Sequence, residues 1–328
     1  MISDFYLLIL IFLIHFALDK NKKKIFNSYF LDIPNVGRKI HKEPTYLIGG
    51  HFIFISYSVF LLFSFDYNLN HKFVFFFIFS CIFLIGILDD LKDLKPIVKL
   101  GLVLIIYLVL IHFDNDYLLE KIYFETFDKN LNFGIYSYPV SILCVLLLIN
   151  AINLIDGING LAMMVFIIIY LYLNYFLNVA FNIFIFIFYL FIFFNIYKGK
   201  YFLGNSGSLI IGALIAFSTI KAYNSNFTQN NSAEDIVILF LIPGIDMFRL
   251  FARRIIDKKN PFNADNLHLH HLLIAKYSLK NILFFYFITI VGSSYMAFND
   301  ILPELIIILI ISFLYSILLF FLKNSQLN

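Results

Sequence analysis

The 328-residue sequence has no tryptophan, only two cysteines and seven prolines, and just 14% of its residues are Asp, Glu, Lys or Arg. Each shortage excludes something. Soluble domains carry roughly a quarter charged residues, so so low a fraction excludes an ordinary water-soluble fold. Cys81 and Cys144 both fall in apolar runs. They form neither a disulfide framework nor a zinc site, and each reads as a small buried hydrophobe. Without tryptophan, the 21 tyrosines must supply any aromatic belt at a membrane interface. No Gly/Ser linker, soluble-type repeat or low-complexity tail divides the chain, which reads as one integral-membrane domain over residues 1–328. The net charge of +3 says little until it is mapped along the chain, and no nucleic-acid partner is expected.

What is abundant is apolar: 61% of residues are hydrophobic, 43 of them Phe, and the mean hydropathy is +0.88. A membrane span needs about 20 mostly apolar residues. Eleven stretches qualify, near 3–18, 48–65, 73–89, 97–113, 135–155, 161–179, 181–197, 203–222, 235–251, 281–299 and 303–323. The expected fold is therefore an all-α polytopic membrane protein of about eleven helices. The first run, Phe5 to Ala17, lacks a positive leading region and a small-residue cleavage site, so it reads as a span and not a removable signal.

Lys and Arg sort by side. With the N-terminus outside and the C-terminus cytoplasmic, all of the 24 except Lys72, Lys121, Lys129 and Lys221 fall on inside segments. Such asymmetry sets orientation. The same map places every chemistry-capable cluster on the cytoplasmic face of the cell membrane.

Four clusters stand out. Asp89 and Asp90 end the third stretch, and adjacent carboxylates repel unless a cation uses them. Mg²⁺ held by one or two carboxylates plus substrate phosphates is one such use; a solvated helix end is the plainer reading. Lys99 could equally snorkel from the next stretch. In "NAINLIDGINGLA", Asn150, Asn153 and Asp156 recur at intervals of three and share a helix face, while Gly157 and Gly160 permit a sharp exit or a close backbone approach. That face suits a nucleotide and its metal, against the alternative of a capped terminus with a polar rim. "GNSGS", Gly204 to Ser208, opens the eighth stretch as a helix N-terminus able to offer free N–H groups to an anion, or simply as a run of N-cap residues. The last large inside loop holds Arg253, Arg254, Lys258, Lys259, Asp265, His268, His270 and His271. With no Cys or well-spaced fourth ligand, zinc is a poor fit, and a basic loop gripping phosphates is the better one. Positive-inside sorting explains the Arg and Lys but not the His.

Together these motifs resemble the polyprenyl-phosphate N-acetylhexosamine-1-phosphate transferases, the bacterial glycosyltransferase family 4, over nearly the whole chain. "DIPNVGRKIHKEPTYLIGG" is similar to the family's first basic loop, "GILDDLKDL" to its Asp-Asp motif and "NAINLIDGINGLA" to its Asn-x-x-Asn-x-x-Asp-Gly motif. "LGNSGSLIIG" stands at its Gly-Asp-x-Gly-Ser turn, and "PGIDMFRLFARR" with "PFNADNLHLHHLL" resembles its Arg and His loop. The His-x-His-His form is nearer the sugar-phosphate branch than the muramoyl-pentapeptide branch.

The resemblance implies transfer of a HexNAc-1-phosphate from a UDP-sugar to polyprenyl (undecaprenyl) phosphate, releasing UMP and starting a cell-surface polysaccharide such as an O-antigen. It implies Mg²⁺, with Mn²⁺ as a substitute, and a lipid phosphate oxygen attacking the β-phosphorus. A homodimer is compatible with it. The implied roles fall on Asp89 (orienting or deprotonating the lipid phosphate), Asp90 (metal), Asp156 with Asn153 (nucleotide and metal), and Arg253, His268, His270 and His271 (diphosphate). Lys39 and His41 would close the site, and Lys99, Asn150, Asn159 and Arg254 would bind substrate. Two positions depart from the family, which usually has Asp where this chain has Asn159 and Asn205. Asn205 stands at a metal-ligand position, where its carbonyl oxygen can ligate but brings no charge. The competing classes are a silent relative that binds lipid phosphate, favoured only by those two Asn, and a transporter. A transporter would need ionisable groups near the bilayer midplane, and Asp246 comes nearest to that.

Overall fold

The computed structural model describes residues 2–26, 28–34, 43–63, 69–176, 183–225, 232–261 and 266–324. In chain order its elements are α1 (Ile2–Lys20), α2 (Lys22–Ile25), β1 (Leu31–Asp32), β2 (Thr45–Tyr46), α3 (Gly49–Phe63), α4 (Leu69–Lys92) and α5 (Pro96–Phe113). A hairpin follows, β3 (Lys121–Phe124) and β4 (Lys129–Asn132), then α6 (Ser137–Ile155), α7 (Leu161–Phe176), α8 (Ile183–Tyr197) and α9 (Gly204–Ser225). The chain continues through α10 (Ala233–Leu239), α11 (Leu241–Ile256), α12 (Leu269–Ile274), α13 (Leu279–Phe298) and α14 (Glu304–Asn324).

The described residues of each of the eleven apolar stretches are almost wholly helical. Among the described residues, six helical segments are long and apolar enough to cross a membrane: Leu69–Lys92, Pro96–Phe113, Gly134–Ile155, Gly204–Ser225, Leu279–Phe298 and Glu304–Lys323. The ninth stretch, near 235–251, is not one helix. It breaks at Phe240 between α10 and α11, because Pro243 in the first turn of α11 has no N–H to continue the ladder of α10. Nor is the fold purely α-helical, since β1–β2 and β3–β4 each form a two-stranded antiparallel sheet. In the second, Lys121 pairs with Asn132 and Phe124 with Lys129 across the turn between them.

The chain groups into two compact units, residues 1–115 with 180–214, and residues 116–179 with 215–328. In the first, α3 packs between α1, α4 and α8, and α4 pairs with α5. Helices in lipid gain little from hydrophobic exclusion against each other and associate where small residues let backbones approach. Here Gly50 of α3 and Gly86 of α4 both lie against the backbone of Ser206, so closely that a Cβ at either would overlap it. A short parallel ladder fixes this junction. Phe202 N donates to Tyr46 O at 2.8 Å, Gly49 N to Phe202 O at 2.9 Å and Gly50 N to Leu203 O at 3.0 Å. The "GNSGS" turn is thereby held against the start of α3.

In the second unit α6 packs on α7 and α11, while α13 and α14 lie against each other and against α10 and α12. The Ser232 hydroxyl accepts from Asp235 N, and Asp235 in turn accepts from Ser232 N, a capping box that starts α10. Glu234 accepts from the amides of Glu125 and Thr126, and this ties the β3–β4 turn to α10.

Candidate active site

The first unit carries the Asp-Asp motif. Asp89 is buried, with one carboxylate oxygen 2.8 Å from Lys99 Nζ and the other accepting from Leu94 N at 2.9 Å. It therefore stitches the α4–α5 turn while its charge is neutralised by α5. Lys99 does not snorkel to solvent; its side chain is nearly buried in that pair. Asp90 turns to a different partner. Its two oxygens accept from Asn205 N at 2.6 Å and from Ser206 N at 3.0 Å, the first-turn amides of α9. A helix leaves these groups without intrahelical partners, and a carboxylate there also meets the positive end of the dipole. Gly204 enters the helix at φ +75° with the Asp90 carboxylate 3.0 Å from where a Cβ would sit, a backbone that favours glycine.

This modifies the sequence-based expectation for "GNSGS". Two of the amides thought free for a phosphate are occupied by Asp90. Asn205 meets Asp90 through its backbone N–H.

The second unit carries the other motifs. Helix α6 ends at Ile155, so Asn150 and Asn153 lie in its last turns and Asp156 is its C-cap. All three are half-buried, and Asn150 Nδ2 lies 3.4 Å from Met247 Sδ on α11. The chain then turns through 156–160, where Gly160 takes φ +83° and Asn159 is half-buried. A Cβ on Gly157 would overlap the rings of His270 and His271. The Asp-Gly turn and the His motif thus touch, and glycine is what allows it.

The histidines are close together, with ring centroids 5.6 Å apart for His268–His270 and 4.3 Å for His270–His271. His270 is fully buried and neither ring nitrogen has a hydrogen-bond partner. Burial, reinforced by its histidine neighbours, holds it well below the usual imidazole range, so it is neutral. His268 donates or accepts through Nδ1 at 2.7 Å from an Asp246 oxygen, and its Nε2 is buried without a partner. Asp246, Arg249 and Tyr315 complete this group, and Arg249 Nη1 is also buried and unpartnered. Unsatisfied buried polar groups are costly, and several in one place mark where a polar ligand belongs.

The expected arginines sit in the last turn of α11. Arg253 is exposed and pairs with Asp257 at 3.7 Å, and buried Arg254 donates to Pro261 O at 2.8 Å. The guanidinium bonded into the histidine group is that of Arg249, which sequence reasoning passed over. Lys39, His41 and Asp265 lie outside the described residues.

For a hard divalent cation the donor chemistry fits in part. Asp156, next to the Gly157 that meets the histidines, has a carboxylate to offer, and Asp90 keeps lone pairs beyond those used by the two amides. Among the described residues, a group of three carboxylates close enough to hold a metal ion does occur, at Glu125, Asp300 and Glu304, and it includes none of the expected ligands.

Residues 72–223 match the family model "Glycosyl transferase family 4". The undecaprenyl-phosphate alpha-N-acetylglucosaminyl 1-phosphate transferase of Thermotoga maritima is 31% identical over 250 residues, 75% of this chain and 74% of that protein. The enzyme of the same name from Haemophilus influenzae is 30% identical over 272 residues, covering 74% and 71%. A probable undecaprenyl-phosphate N-acetylglucosaminyl 1-phosphate transferase of Bacillus subtilis is 29% identical over 253 residues, covering 73% and 68%.

Proposed function

Because the chain belongs to glycosyl transferase family 4, we propose that it transfers a HexNAc-1-phosphate from a UDP-sugar to polyprenyl phosphate. A lipid phosphate oxygen forms a new bond to the β-phosphorus, the bond from that phosphorus to the bridging oxygen breaks, and UMP leaves with that oxygen. One phosphoanhydride replaces another, so catalysis is mainly positioning and charge neutralisation. The observation that carries this reading is the buried, unsatisfied set at His268 Nε2, both nitrogens of His270 and Arg249 Nη1, of which the His270 ring lies against Gly157. Arg249 Nη1 and the one N–H of neutral His270 are donors that the oxygens of an anion would satisfy.

In this reading His268, His270, His271 and Arg249 receive the diphosphate, while Asp156 and Asn153 face nucleotide and metal. Asp89 orients the lipid phosphate. Mg²⁺ would neutralise diphosphate charge, with either Asp156 or the pair of Asp90 and the Asn205 carbonyl as its oxygen donors. The Lys and Arg asymmetry supports eleven crossings with the N-terminus outside, so that the chemistry faces the cytoplasm of the cell membrane. The product, a lipid-diphosphate-linked sugar, is the kind of primer on which a surface polysaccharide is built.

The test is UMP exchange and transfer by membranes containing the protein, with undecaprenyl phosphate and a panel of UDP-HexNAc donors. Transfer from one or more donors is expected. Inactivity with every donor at saturating Mg²⁺ favours the second reading, a lipid-phosphate-binding relative without catalysis, which Asn205 in place of a carboxylate supports.

A further inference from the structure

Asp246 is the stray carboxylate of an otherwise apolar stretch, and no step of the transfer calls on it. It is 2% exposed, yet four donors converge on it. Oδ1 accepts from Tyr315 OH at 2.6 Å, Arg249 Nη2 at 2.8 Å and Leu269 N at 3.1 Å; Oδ2 lies 2.7 Å from His268 Nδ1 and 3.2 Å from Leu269 N. Arg249 closes the ring, its Nε donating to Tyr315 OH at 2.8 Å and its Nη2 to Leu267 O at 2.7 Å. Three elements, α11, the entry to α12 and α14, meet on this one side chain.

We infer that Asp246 is a positioning residue that keeps a proton on His268 Nδ1 and so presents Nε2 to the substrate diphosphate, to which Nε2 donates once it carries the ring's second proton; Arg249 and Tyr315 hold Asp246 in turn. The identity of the group received rests on the transferase reading; the positioning does not. An ionised carboxylate only accepts, so the imidazole nitrogen facing it must carry hydrogen. That leaves Nε2, buried and without a partner, as the one nitrogen free to meet a ligand. Leu269 N binds the same carboxylate, so ring and backbone are anchored together at the N-cap of α12. Asp246 cannot turn away, because three donors hold Oδ1. Tyr315 lies outside every motif that marks the family resemblance, so the last helix takes part through a residue no motif would single out.

The substitution Asp246→Asn separates this role from packing. Three donors claim the Oδ1 side, so the amide oxygen belongs there and the NH₂ must face His268 Nδ1. That nitrogen becomes an acceptor and the ring proton moves to Nε2. Nitrogen NMR of the full chain, ¹⁵N-labelled at histidine in detergent and at alkaline pH where the ring is neutral, reads this directly; His268→Gln assigns the signal. The expected result is an Nδ1–H tautomer in the unaltered protein and an Nε2–H tautomer in Asp246→Asn. In the transfer assay, loss of an orienting partner should lower kcat by about 10–100-fold. The double variant Asp246→Asn/His268→Gln should be no worse than His268→Gln alone, because one residue acts through the other. Tyr315→Phe, which leaves the Asp246–His268 contact in place, should keep the Nδ1–H tautomer. An Nε2–H tautomer in the unaltered protein, an unchanged tautomer in Asp246→Asn, or additive losses in the double variant each overturn the inference. An inactive but Nδ1–H protein overturns the transferase reading alone.

Discussion

Asp90 is the residue for which a sequence-derived role and an observed one make opposite predictions. As a metal ligand alone, its removal should leave stability untouched and raise the Mg²⁺ requirement. As the cap of α9 it receives two backbone N–H groups, at 2.6 and 3.0 Å. Hydrogen bonds to a charged group contribute about 1.5–3 kcal/mol each, and the lower end applies because Asp90 is half-buried and water can replace part of the loss. The favourable charge–dipole term at a helix N-terminus adds about 0.3–1 kcal/mol. Asp90→Ala should therefore destabilise the protein by about 3–4 kcal/mol. Asp90→Asn keeps one acceptor but points an NH₂ at the other amide, so it should cost about half as much. Reversible unfolding in mixed micelles, titrated with a denaturing detergent, gives the ranking. Lys92→Ala, an exposed change on the same helix, serves as the control. If Asp90→Ala unfolds within about 0.5 kcal/mol of the unaltered protein, the cap carries no weight and the argument from these two bonds is refuted.

Other expectations follow from the same geometry. Gly157→Ala should push the His270 and His271 rings aside, costing about 1–3 kcal/mol and most of the transfer activity; a variant with normal stability and turnover would remove the turn–histidine contact from the mechanism. Asp89→Asn and Asp156→Asn should each lower transfer by about 10²–10³, measured in membranes at matched protein levels, and near-normal turnover would exclude the residue concerned. Asn205→Asp should lower the Mg²⁺ concentration for half-maximal UMP exchange, and by more than Asn159→Asp does; an unshifted titration shows that the side chain does not reach the metal. Reporter fusions after Lys24, Asn130 and Lys259 should read inside, outside and inside, and an outside signal at Lys259 breaks the proposed orientation.

How far these features could be read from the sequence depended on how local their causes are. Span length and apolar composition are properties of contiguous residues, so the helices seen among the described residues of these stretches could be marked in advance. Pro243 was visible as well, but its effect depends on α10 having already spent its last carbonyls, and the break at Phe240 was missed. The hairpin at 121–132 was missed because two four-residue strands are too short for their alternation to stand out. The two glycines after Asp156 offered two uses, a sharp exit or a close approach. The structure divides them, with Gly160 at positive φ and Gly157 against the histidines. Asp246 was legible only as an oddity. Arg249 is a local partner 3 residues on, but His268, Leu269 and Tyr315 lie 22, 23 and 69 residues away, and no local pattern reports contacts over those separations.

The Asp89–Asp90 pair shows how a correct physical premise can license too much. Two adjacent carboxylates near a membrane surface do repel, and the repulsion does require compensation. A metal ion looked like the natural source. The structure compensates each residue separately: Asp89 with the ammonium of Lys99 at 2.8 Å, and Asp90 with the amides and dipole of α9. Because the two partners come from different helices, the carboxylates need no shared cation to coexist. The case for a divalent ion therefore no longer rests on this pair. It rests on the diphosphate the enzyme is proposed to handle and on Asp156, the residue next to Gly157 at the turn against His270 and His271. A Mg²⁺ requirement that survives Asp89→Glu but is altered by Asp156→Glu is the outcome this argument expects, and the reverse pattern would return the metal to the Asp-Asp motif.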